Sequence, residues 1–465
     1  MTSPLFAGRR LHLIGVGGAG MSGLALVARS LGAEVTGSDR VESSYVQRVR
    51  AAGIEPAIGH AAANLLAGAE VVVSTAIGED NPELAAARAG GARVLHRSDL
   101  LAEIAALGST IAVTGTHGKT TVAAMVAHAL IEAGRDPAYL IGGELRSTGS
   151  NAAWGEGGWV VVEADESDRS FLKLAPAVAV VTNVELDHHA TYTSVAELER
   201  AMAEFAAGAP VLVAADEVPE RVVAGVGGRT VRYGLGAGDL LAEEVELLPL
   251  GARFGVEGVA VALSVPGRHN VLNALAALAA CREAGVPLAE AAAGLETFTG
   301  AGRRFERRGR MASGAEVYDD YAHHPTEVRA TLAAARALGA ERVVACFQPH
   351  LYSRTRHLAR EFGAALALAD LVVVLEVYPA RERAEDFPGV SGRLVAAAAA
   401  DEAYRRPVFW TPTMADAEDL LRCELRAGDV LITLGAGNVD ELAASLVEPQ
   451  APAAAPTGAE SPAPA

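Results

Sequence analysis

A chain of 465 residues is long enough for about three domains of ordinary size. Its formal net charge of −18 disfavours a nucleic-acid-binding surface, and no uninterrupted apolar run is long enough to cross a bilayer. The three cysteines are widely spaced and lack the spacing of a metal site, which favours reduced thiols in a cytoplasmic protein.

The first predicted element is a strand over residues 11–16, followed by a glycine-rich turn and a helix that ends at Leu31. The turn from Gly15 to Gly20 has the spacing GxGxxG, and Asp39 ends the next strand about twenty residues later. This dinucleotide fingerprint places a pyrophosphate on a helix N-terminus. Because any nucleotide diphosphate supplies that group, the glycines alone leave NAD and other nucleotides open.

Arg9 and Arg10 precede this apolar segment, which gives it the charge order of an export signal. Glycines interrupt the apolar run, and a protein committed to triphosphate chemistry would find no ATP outside the membrane. The sequence therefore favours a folded N-terminal domain. Strands at 71–73 and 94–96 and a helix at 98–107 complete that domain, with its boundary near Leu107.

A second α/β pattern begins after Ser109 with an apolar strand, a glycine turn and an Ala-rich helix over residues 120–133. Gly115 and Gly118 allow close approach of the backbone to phosphate, so amides and the helix dipole can face an anion. Lys119 would reach the β- and γ-phosphates of a nucleoside triphosphate. The alternative is a glycine-rich turn with a solvated lysine.

The spacing of this phosphate loop departs from GxxxxGK[ST], because Val113 stands where the motif requires glycine. The sequence therefore predicts a shortened variant of the loop.

Two polar segments follow successive buried strands. Residues 163–168 (Glu-Ala-Asp-Glu-Ser-Asp) follow a strand at 159–162, and residues 187–189 (Asp-His-His) come shortly after a strand at 178–181. Ligands of an open α/β sheet collect at these strand ends, and hard cations take oxygen ligands there. The pattern predicts a magnesium site on bound ATP, with solvated strand ends as the alternative.

A further helix begins after the turn at Pro266 and Gly267. His269 and Asn270 lie at its N-terminal end and could hydrogen-bond a base edge, although helix capping would explain Asn270 without a ligand.

The third section has predicted strands at 343–347, 371–375 and 430–434 with Ala-rich helices between them. Polar segments at 319–325 and 348–356 lie beyond strands. The chain ends in residues 448–465, which lack aromatic and large apolar side chains, so disorder is expected there.

These motifs together resemble the Mur ligase family, over essentially all of residues 9–447. The motifs that carry the resemblance are Gly15–Gly23, Gly115–Thr121, Glu163–Asp168, Pro266–Asn273, Gly302–Phe305, Asp319–Pro325 and Phe347–His350. Within the family, the N-terminal glycine loop and the double histidine after Asp319-Asp320 point to the member that joins L-alanine to UDP-N-acetylmuramate in peptidoglycan synthesis.

The resemblance implies three α/β domains and a tail. They are an N-terminal Rossmann-like domain for the UDP-sugar (1–107), a central P-loop ATPase-type domain (108–302), a C-terminal Rossmann-like domain that closes on ATP and the amino acid (303–447) and a disordered tail (448–465). The implied substrates are ATP, UDP-N-acetylmuramate and L-alanine, with Mg²⁺ or Mn²⁺ as cofactor. A cytoplasmic monomer or weak dimer without nucleic-acid or membrane partners is expected.

The resemblance also assigns site residues. The UDP-sugar would be bound by Gly15, Gly17, Gly18, Gly20, Met21 and Ser22, so Asp39 need not bind a ribose. ATP would be bound by Gly115, Thr116, His117, Gly118, Lys119, Thr120, Thr121, His269, Asn270, Asn273 and Asp320. The implied metal ligands are Thr120, Glu163 and His188, and the implied catalytic residues are Lys119, His324, His350 and Arg354.

Three positions depart from the family pattern. Leu351 stands where arginine is frequent, Asn438 where aspartate is common and Ala190 where an acidic residue is often found. A counterpart of the carbamylated lysine of later-acting relatives is not assigned.

The implied chemistry is acyl activation. Transfer of the γ-phosphoryl group to the lactyl carboxylate gives an acyl phosphate that the amine of alanine can attack, with Lys119 and Mg²⁺ neutralising charge on the phosphoryl oxygens. The amine must be unprotonated, so His324 or His350 is a candidate base, or else only a supporting group. A Rossmann oxidoreductase and a nucleotide-dependent regulatory module are the alternatives, and neither uses all three sections.

Overall fold

The structure is a computed structural model that describes residues 5–188 and 191–448. Ala190 and the tail residues 449–465, on which two of the expectations above rest, lie outside the described residues. The described chain forms two compact units that meet in sequence between Arg304 and Phe305.

The first unit opens with a parallel five-stranded sheet in the order β3-β2-β1-β4-β5. Its strands are β1 (Arg10–Ile14), β2 (Glu34–Asp39), β3 (Ala57–Ile58), β4 (Glu70–Val73) and β5 (Val94–His96), and its helices are α1 (Ala19–Ser30), α2 (Ser44–Ala51), α3 (Pro82–Ala89) and α4 (Arg97–Ala105). The strand order reverses at β1, so the glycine turn after β1 lies at the switch point where doubly wound sheets bind ligands.

The same unit contains an eight-stranded sheet in the order β13-β12-β11-β10-β6-β9-β7-β8, parallel except for the β7–β8 hairpin. Its strands are β6 (Ser109–Thr114), β7 (Ala138–Leu145), β8 (Ser150–Ala153), β9 (Trp159–Glu163), β10 (Val178–Val181), β11 (Val211–Ala215), β12 (Arg229–Gly234) and β13 (Leu240–Leu241). An antiparallel sheet follows, with β14 (Glu243–Leu248), β15 (Gly251–Val256) and β16 (Val259–Leu263). The helices are α5 (Lys119–Glu132), α6 (Val195–Ala207), α7 (Glu220–Val223), α8 (Arg268–Glu283) and α9 (Leu288–Glu296).

Helix α5 is buried along nearly its whole length, from Thr120 to Leu130. Its small residues Ala123, Ala124 and Ala127 let neighbouring elements approach closely, and apolar side chains of α8 such as Leu275 and Leu278 belong to the same core cluster. Strand β6 therefore ends in a phosphate loop whose following helix is rigidly packed.

The second unit is built on a six-stranded sheet in the order β17-β18-β22-β19-β20-β21, parallel except for β17 with β18. The strands are β17 (Glu306–Arg310), β18 (Glu316–Asp320), β19 (Arg342–Phe347), β20 (Leu371–Val374), β21 (Val408–Trp410) and β22 (Asp429–Leu434). The helices are α10 (Pro325–Ala337), α11 (Tyr352–Leu366), α12 (Gly392–Glu402), α13 (Met414–Glu424) and α14 (Val439–Leu446). Separate apolar clusters cover the sheet's two faces, as in a doubly wound fold.

Short 3₁₀ turns occur at Ala62–Asn64, Ser170–Lys173 and Ala384–Asp386. Over the described ranges, no helix combines the length and apolar character that a membrane span requires. Cys281 and Cys346 are buried thiols and Cys423 is an exposed one, all unpaired.

The predicted fold class is confirmed, because three successive sections of α/β structure each build a sheet of mainly parallel strands. The β7–β8 hairpin, the antiparallel β14–β16 sheet and the antiparallel strand β17 were not predicted. The domain limits at 107, 302 and 447 stay predictions.

Candidate active site

The phosphate loop joins β6 to α5 and depends on two glycines in the left-handed region. Gly115 has φ +126° and Gly118 has φ +83°. A Cβ on Gly115 would collide with the Thr182 hydroxyl, and one on Gly118 would lie 2.6 Å from Asn273 Oδ1. Glycine is therefore required at both positions for conformation and for space.

The chain after β10 holds this loop in place. The Thr116 hydroxyl donates to the Glu185 carbonyl (2.8 Å) and accepts from the Glu185 amide (2.9 Å). The backbone amide of His117 donates to Asn183 Oδ1 at 2.8 Å. The ring Nε2 of His117 lies 2.9 Å from the Glu185 carboxylate. The loop conformation is thus fixed by hydrogen bonds to the chain after β10.

Lys119, the first residue of α5, folds back over this loop. Its Nζ donates to the Gly115 carbonyl (2.7 Å), the Thr116 carbonyl (3.1 Å) and Glu166 Oε1 (3.1 Å). Burial lowers the pKa of Lys119, but the nearby Glu166, Asp165 and Glu163 carboxylates outweigh it and raise the pKa overall. Lys119 is therefore a partly buried ammonium beside the loop, and its raised pKa keeps it charged at neutral pH.

An acidic cluster follows β9 next to Lys119. Potential ligand atoms of Asp165, Glu166 and His188 all lie within 4.8 Å of one another, and His188 Nε2 is 3.2 Å from Glu166 Oε1. Burial raises the pKa of Asp165, but the charges of Lys119, Arg97 and His188 lower it to about 2. The carboxylate of Asp165 is therefore ionised at neutral pH.

The three predicted metal ligands lie in different local settings. Glu163 accepts a hydrogen bond from the Gly142 amide at 2.7 Å, and the hydroxyl of Thr120 accepts one from Arg304 Nη2 at 3.3 Å. His188 joins Glu166 and has a left-handed φ of +54°. The structure thus brings His188 together with Asp165 and Glu166, in the segment that the sequence singled out.

The predicted adenine-side residues lie in the first turns of α8. Asn270 is buried; its Nδ2 donates to the Pro266 carbonyl (2.7 Å) and its Oδ1 accepts from Asn273 Nδ2 (3.0 Å). Asn273 Oδ1 faces Gly118, so this pair borders the phosphate loop. His269 is half-buried beside Gly267. Thr121 is buried in the first turn of α5.

The glycine turn of the first sheet is tied to β2. The amides of Gly15 (2.8 Å) and Val16 (3.0 Å) donate to the Ser38 carbonyl, and the Gly17 amide donates to Asp39 Oδ2 (2.8 Å). Asp39 therefore supports the turn itself. That it need not bind a ribose stays a prediction.

The remaining predicted UDP-sugar residues lie at the start of α1. Gly18 is the N-cap residue and Gly20 faces the guanidinium of Arg97. Met21 and Ser22 are buried, and the Ser22 hydroxyl donates to the Ala19 carbonyl and accepts from Asn151 Nδ2 (3.3 Å). These two side chains pack inside the unit, whereas the glycines form its surface turn.

In the second unit, the predicted residues gather at the C-terminal ends of β18 and β19. Asp320 accepts hydrogen bonds from the amides of Phe305 (2.7 Å) and Ala322 (2.8 Å). His324 is the N-cap residue of α10, with Nδ1 accepting from the Thr326 amide at 3.3 Å. Asp320 and His324 are both buried.

His350 and Arg354 form a pair in this unit. Arg354 Nη1 lies 3.1 Å from His350 Nδ1, and the His350 ring stacks on Tyr378 with ring centroids 5.8 Å apart. Because a guanidinium only donates, His350 Nδ1 accepts this hydrogen bond.

Two family departures fall in the same unit. Leu351 precedes α11 with φ +70° and is buried. Asn438 accepts a hydrogen bond from Gln348 Nε2 at 3.0 Å. Neither side chain is charged. Leu351 therefore cannot make the ionic contacts of the arginine that is frequent at its position, and Asn438 cannot make those of the aspartate.

Sequence reasoning gave no role to two arginines at this site, although Arg304 lies in the Gly302–Phe305 motif. Arg304 reaches the Thr120 hydroxyl, and Arg97 reaches the Asp165 and Asp168 carboxylates. Arg97 directly follows a predicted strand, a position where functional side chains collect, and that signal could have found it.

Three domain models of one family match the chain in order. They are the Mur ligase family catalytic domain over residues 10–108, the Mur ligase middle domain over 113–281 and the Mur ligase glutamate ligase domain over 303–437. The chain belongs to the Mur ligase family.

Individual relatives cover almost the whole chain. The UDP-N-acetylmuramate–L-alanine ligase of Rubrobacter xylanophilus is 47% identical over 94% of this chain and 99% of its own. That of Streptomyces coelicolor is also 47% identical, over 94% and 97%. The crystal structure of the UDP-N-acetylmuramate-alanine ligase of Thermotoga maritima is 30% identical and superposes with a TM-score of 0.82, covering 94% and 98% of the two chains.

Proposed function

We propose that this chain catalyses the ATP-dependent joining of L-alanine to the lactyl carboxylate of UDP-N-acetylmuramate, giving ADP, phosphate and UDP-N-acetylmuramoyl-L-alanine for peptidoglycan synthesis. The single observation that carries the proposal is Lys119, held between the carbonyls of a phosphate loop and the buried Glu166 carboxylate. The 47% identity to two alanine-adding ligases supports the choice of amino acid.

Lys119 and the N-terminus of α5 act on the triphosphate. The ammonium is positioned by Gly115 and Thr116, so it can transfer its hydrogen bonds to β- and γ-phosphate oxygens without reorganising the loop. Negative charge that develops on the γ-phosphoryl group during attack by the lactyl carboxylate is then stabilised by a positioned cation. The product of this step is the acyl phosphate.

The acidic cluster fits a divalent cation. Asp165 and Glu166 supply oxygen ligands, His188 supplies a ring nitrogen, and the buried Glu166 Oε2 lies 2.9 Å from Lys119 Nζ without accepting a hydrogen bond from any described group. With Thr120 and Glu163, these residues would hold Mg²⁺ or Mn²⁺. Such an ion supplies charge neutralisation on the phosphate oxygens.

The second step needs a base for the alanine amine, and His324 and His350 remain the candidates. In both rings Nδ1 accepts a hydrogen bond, from the Thr326 amide and from Arg354, so the proton of the neutral ring is on Nε2. To take a proton from the amine, either ring must release that Nδ1 contact. Arg354 would keep the His350 ring oriented until it does.

The remaining sites follow the same proposal. The turn from Gly15 to Gly20 binds the diphosphate of the UDP-sugar, and the buried Asn270–Asn273 pair borders the nucleotide. Asp320 is among the residues that bind ATP. The enzyme acts in the cytoplasm, where ATP and UDP-sugars are made, as a monomer or weak dimer with small-molecule substrates only.

The experiment that tests the proposal is mass spectrometry of the product formed from ATP, UDP-N-acetylmuramate and each of L-alanine, glycine and L-serine. We expect a mass gain of one alanyl residue, with ADP in equal amount. Phosphate release without a peptide product would instead indicate a regulatory nucleotidase and would overturn the proposal.

A further inference from the structure

Arg97 connects the two ligand-binding parts of the first unit. It is the first residue of α4 and directly follows β5, so it lies at the same sheet edge as the glycine turn after β1. Its Nη1 lies 3.4 Å from the position that a Cβ on Gly20 would occupy. The guanidinium therefore borders the proposed diphosphate site.

The other end of the guanidinium reaches the acidic segment after β9. Arg97 Nη2 lies 3.3 Å from Asp165 Oδ2 and 3.4 Å from Asp168 Oδ2. Both distances are long for charge-assisted hydrogen bonds, which typically measure about 2.7–2.9 Å. The side chain is 23% exposed, so the contact is open to competition from a better acceptor.

The donors of Arg97 are only partly used. Among the described residues, the hydrogen-bond partners of its side chain are these two carboxylates, and both contact Nη2. Nε and Nη1 therefore have no acceptor in the described part of the protein. A planar guanidinium with two unused donors beside a diphosphate-binding turn is suited to an anion.

A neighbouring side chain has the same property. Nε2 of His96 is buried and has no hydrogen-bond partner among the described groups, while its Nδ1 is used in capping α4. The end of β5 thus presents two adjacent side chains with unused polar atoms at the sheet edge where ligands collect.

We propose that Arg97 is a substrate-binding residue whose guanidinium binds an anionic oxygen of the UDP-sugar. This inference rests on the proposed function, because it needs a UDP-sugar at the glycine turn. That substrate carries two anionic groups, the diphosphate and the lactyl carboxylate, and either could accept from Nε and Nη1. Because Arg97 also contacts Asp165, which lies beside Lys119, it ties the bound UDP-sugar to the phosphate-loop side of the unit.

The test is equilibrium binding of UDP and of UDP-N-acetylmuramate, measured by calorimetry without ATP, on the parent, Arg97→Gln and Arg97→Lys. Loss of charge-assisted hydrogen bonds to one anion is expected to weaken binding at least about tenfold in Arg97→Gln, and Arg97→Lys should recover part of it. Arg93→Gln is the matched control, because Arg93 precedes β5, is 59% exposed and pairs with Glu70 and Glu103. It should bind both ligands like the parent.

Comparing UDP with UDP-N-acetylmuramate shows which anionic group Arg97 binds, because UDP has the diphosphate but lacks the lactyl carboxylate. An equal loss for UDP and UDP-N-acetylmuramate assigns Arg97 to the diphosphate, whereas a loss confined to UDP-N-acetylmuramate assigns it to the lactyl carboxylate. Parent-like binding of both ligands by Arg97→Gln overturns the inference and leaves the proposed function intact. If the parent itself binds neither ligand, the proposed function fails, and the inference fails with it.

Thermal melting and ATP binding by each variant show whether the fold survives. Should Arg97→Gln melt early, Arg97→Lys decides the matter, since it keeps the positive charge but lacks the planar fork. Parent-like Kd values for both UDP and UDP-N-acetylmuramate in a well-folded Arg97→Lys would then overturn the guanidinium contact.

Discussion

The ammonium of Lys119 and the buried carboxylate of Glu166 form an ion pair, with Nζ 2.9 Å from Oε2 and 3.1 Å from Oε1. Glu166 is 1% exposed and Lys119 is 13% exposed. Removing one partner of such a pair leaves an uncompensated buried charge. Glu166 therefore compensates the charge of Lys119 beside the loop.

Lys119→Ala should reduce kcat by about 10²-fold or more, because this ammonium stabilises charge that grows in the transition state. Steady-state kinetics at saturating ATP measures the effect. Lys173→Ala is the matched control, since Lys173 is the only other lysine, is 44% exposed and pairs with Asp99. A Lys119→Ala enzyme with parent-like kcat would remove the phosphate-loop assignment.

Gly118→Ala should abolish most activity for two reasons. A Cβ at this position would lie 2.6 Å from Asn273 Oδ1, and the backbone φ of +83° is unfavourable for alanine. Gly134 separates these two causes. Its φ is +67° and a Cβ would meet nothing within 4 Å, so Gly134→Ala should cost only about 1 kcal/mol of stability and leave kcat/KM unchanged. Equal activity of the two variants would show that the Gly118–Asn273 approach is unimportant.

The acidic cluster predicts how the enzyme responds to magnesium. His188→Ala and Glu166→Gln should each raise the Mg²⁺ concentration needed for half-maximal activity, since each removes a potential ligand of the cluster. Glu163→Ala should do the same if Glu163 is the ligand that the family resemblance implies. The double variant of His188 and Glu163 should show non-additive kinetics if both act on one ion. A parent-like Mg²⁺ titration of His188→Ala would make His188 structural.

A buried carboxylate in the first sheet predicts a pH-dependent stability. Glu83 is fully buried; its Oε2 accepts from the Ser38 hydroxyl (2.5 Å) and lies 3.3 Å from His12 Nε2. Its Oε1 accepts from the Ala61 amide (3.1 Å) and from Asn64 Nδ2 (2.5 Å). Burial alone raises the pKa of Glu83, but these hydrogen bonds lower it to about 2 from 4.5.

Because the pKa is lower in the folded state, this stabilisation is fully present above about pH 4.5 and is lost as pH falls towards 2. A shift of this size corresponds to roughly 3 kcal/mol. Glu83→Gln should lower Tm at pH 7 and flatten its fall below pH 4.5 in thermal melts. Glu55→Gln, at an exposed position, should keep the parent's profile. An unchanged acid limb in Glu83→Gln would contradict the assignment.

The sequence was most informative where structure is local. Each glycine turn was predicted because strand, glycines and helix follow one another within about twenty residues. The fold class and the family are confirmed, and strand β6, the glycine turn and helix α5 follow one another as expected. Phosphate binding by this turn stays a prediction. The predicted ends of the strands differ from the observed ends by at most two residues. The first strand was predicted over residues 11–16, whereas β1 ends at Ile14 and the turn begins at Gly15.

Long-range pairings could not be predicted from the sequence. Arg97 meets Asp165 across 68 residues and His12 meets Glu83 across 71, and no local pattern encodes either contact. The β7–β8 hairpin has a strand interrupted by Gly142 and Gly143, so it lacks the clean alternation that marks a strand. Whether such a segment forms a strand depends on its packing against the rest of the fold.

The geometry of Lys119 also predicts which phosphorus is attacked. A phosphate loop holds the β- and γ-phosphates and directs this ammonium to the terminal group, so the lactyl carboxylate should attack the γ-phosphorus and release ADP. Adenylation would need attack at the α-phosphorus and would release AMP. With ¹⁸O in the lactyl carboxylate, one label should appear in inorganic phosphate after L-alanine is added, as measured by mass spectrometry. Label recovered in AMP would refute acyl phosphate formation even if the alanyl product were made.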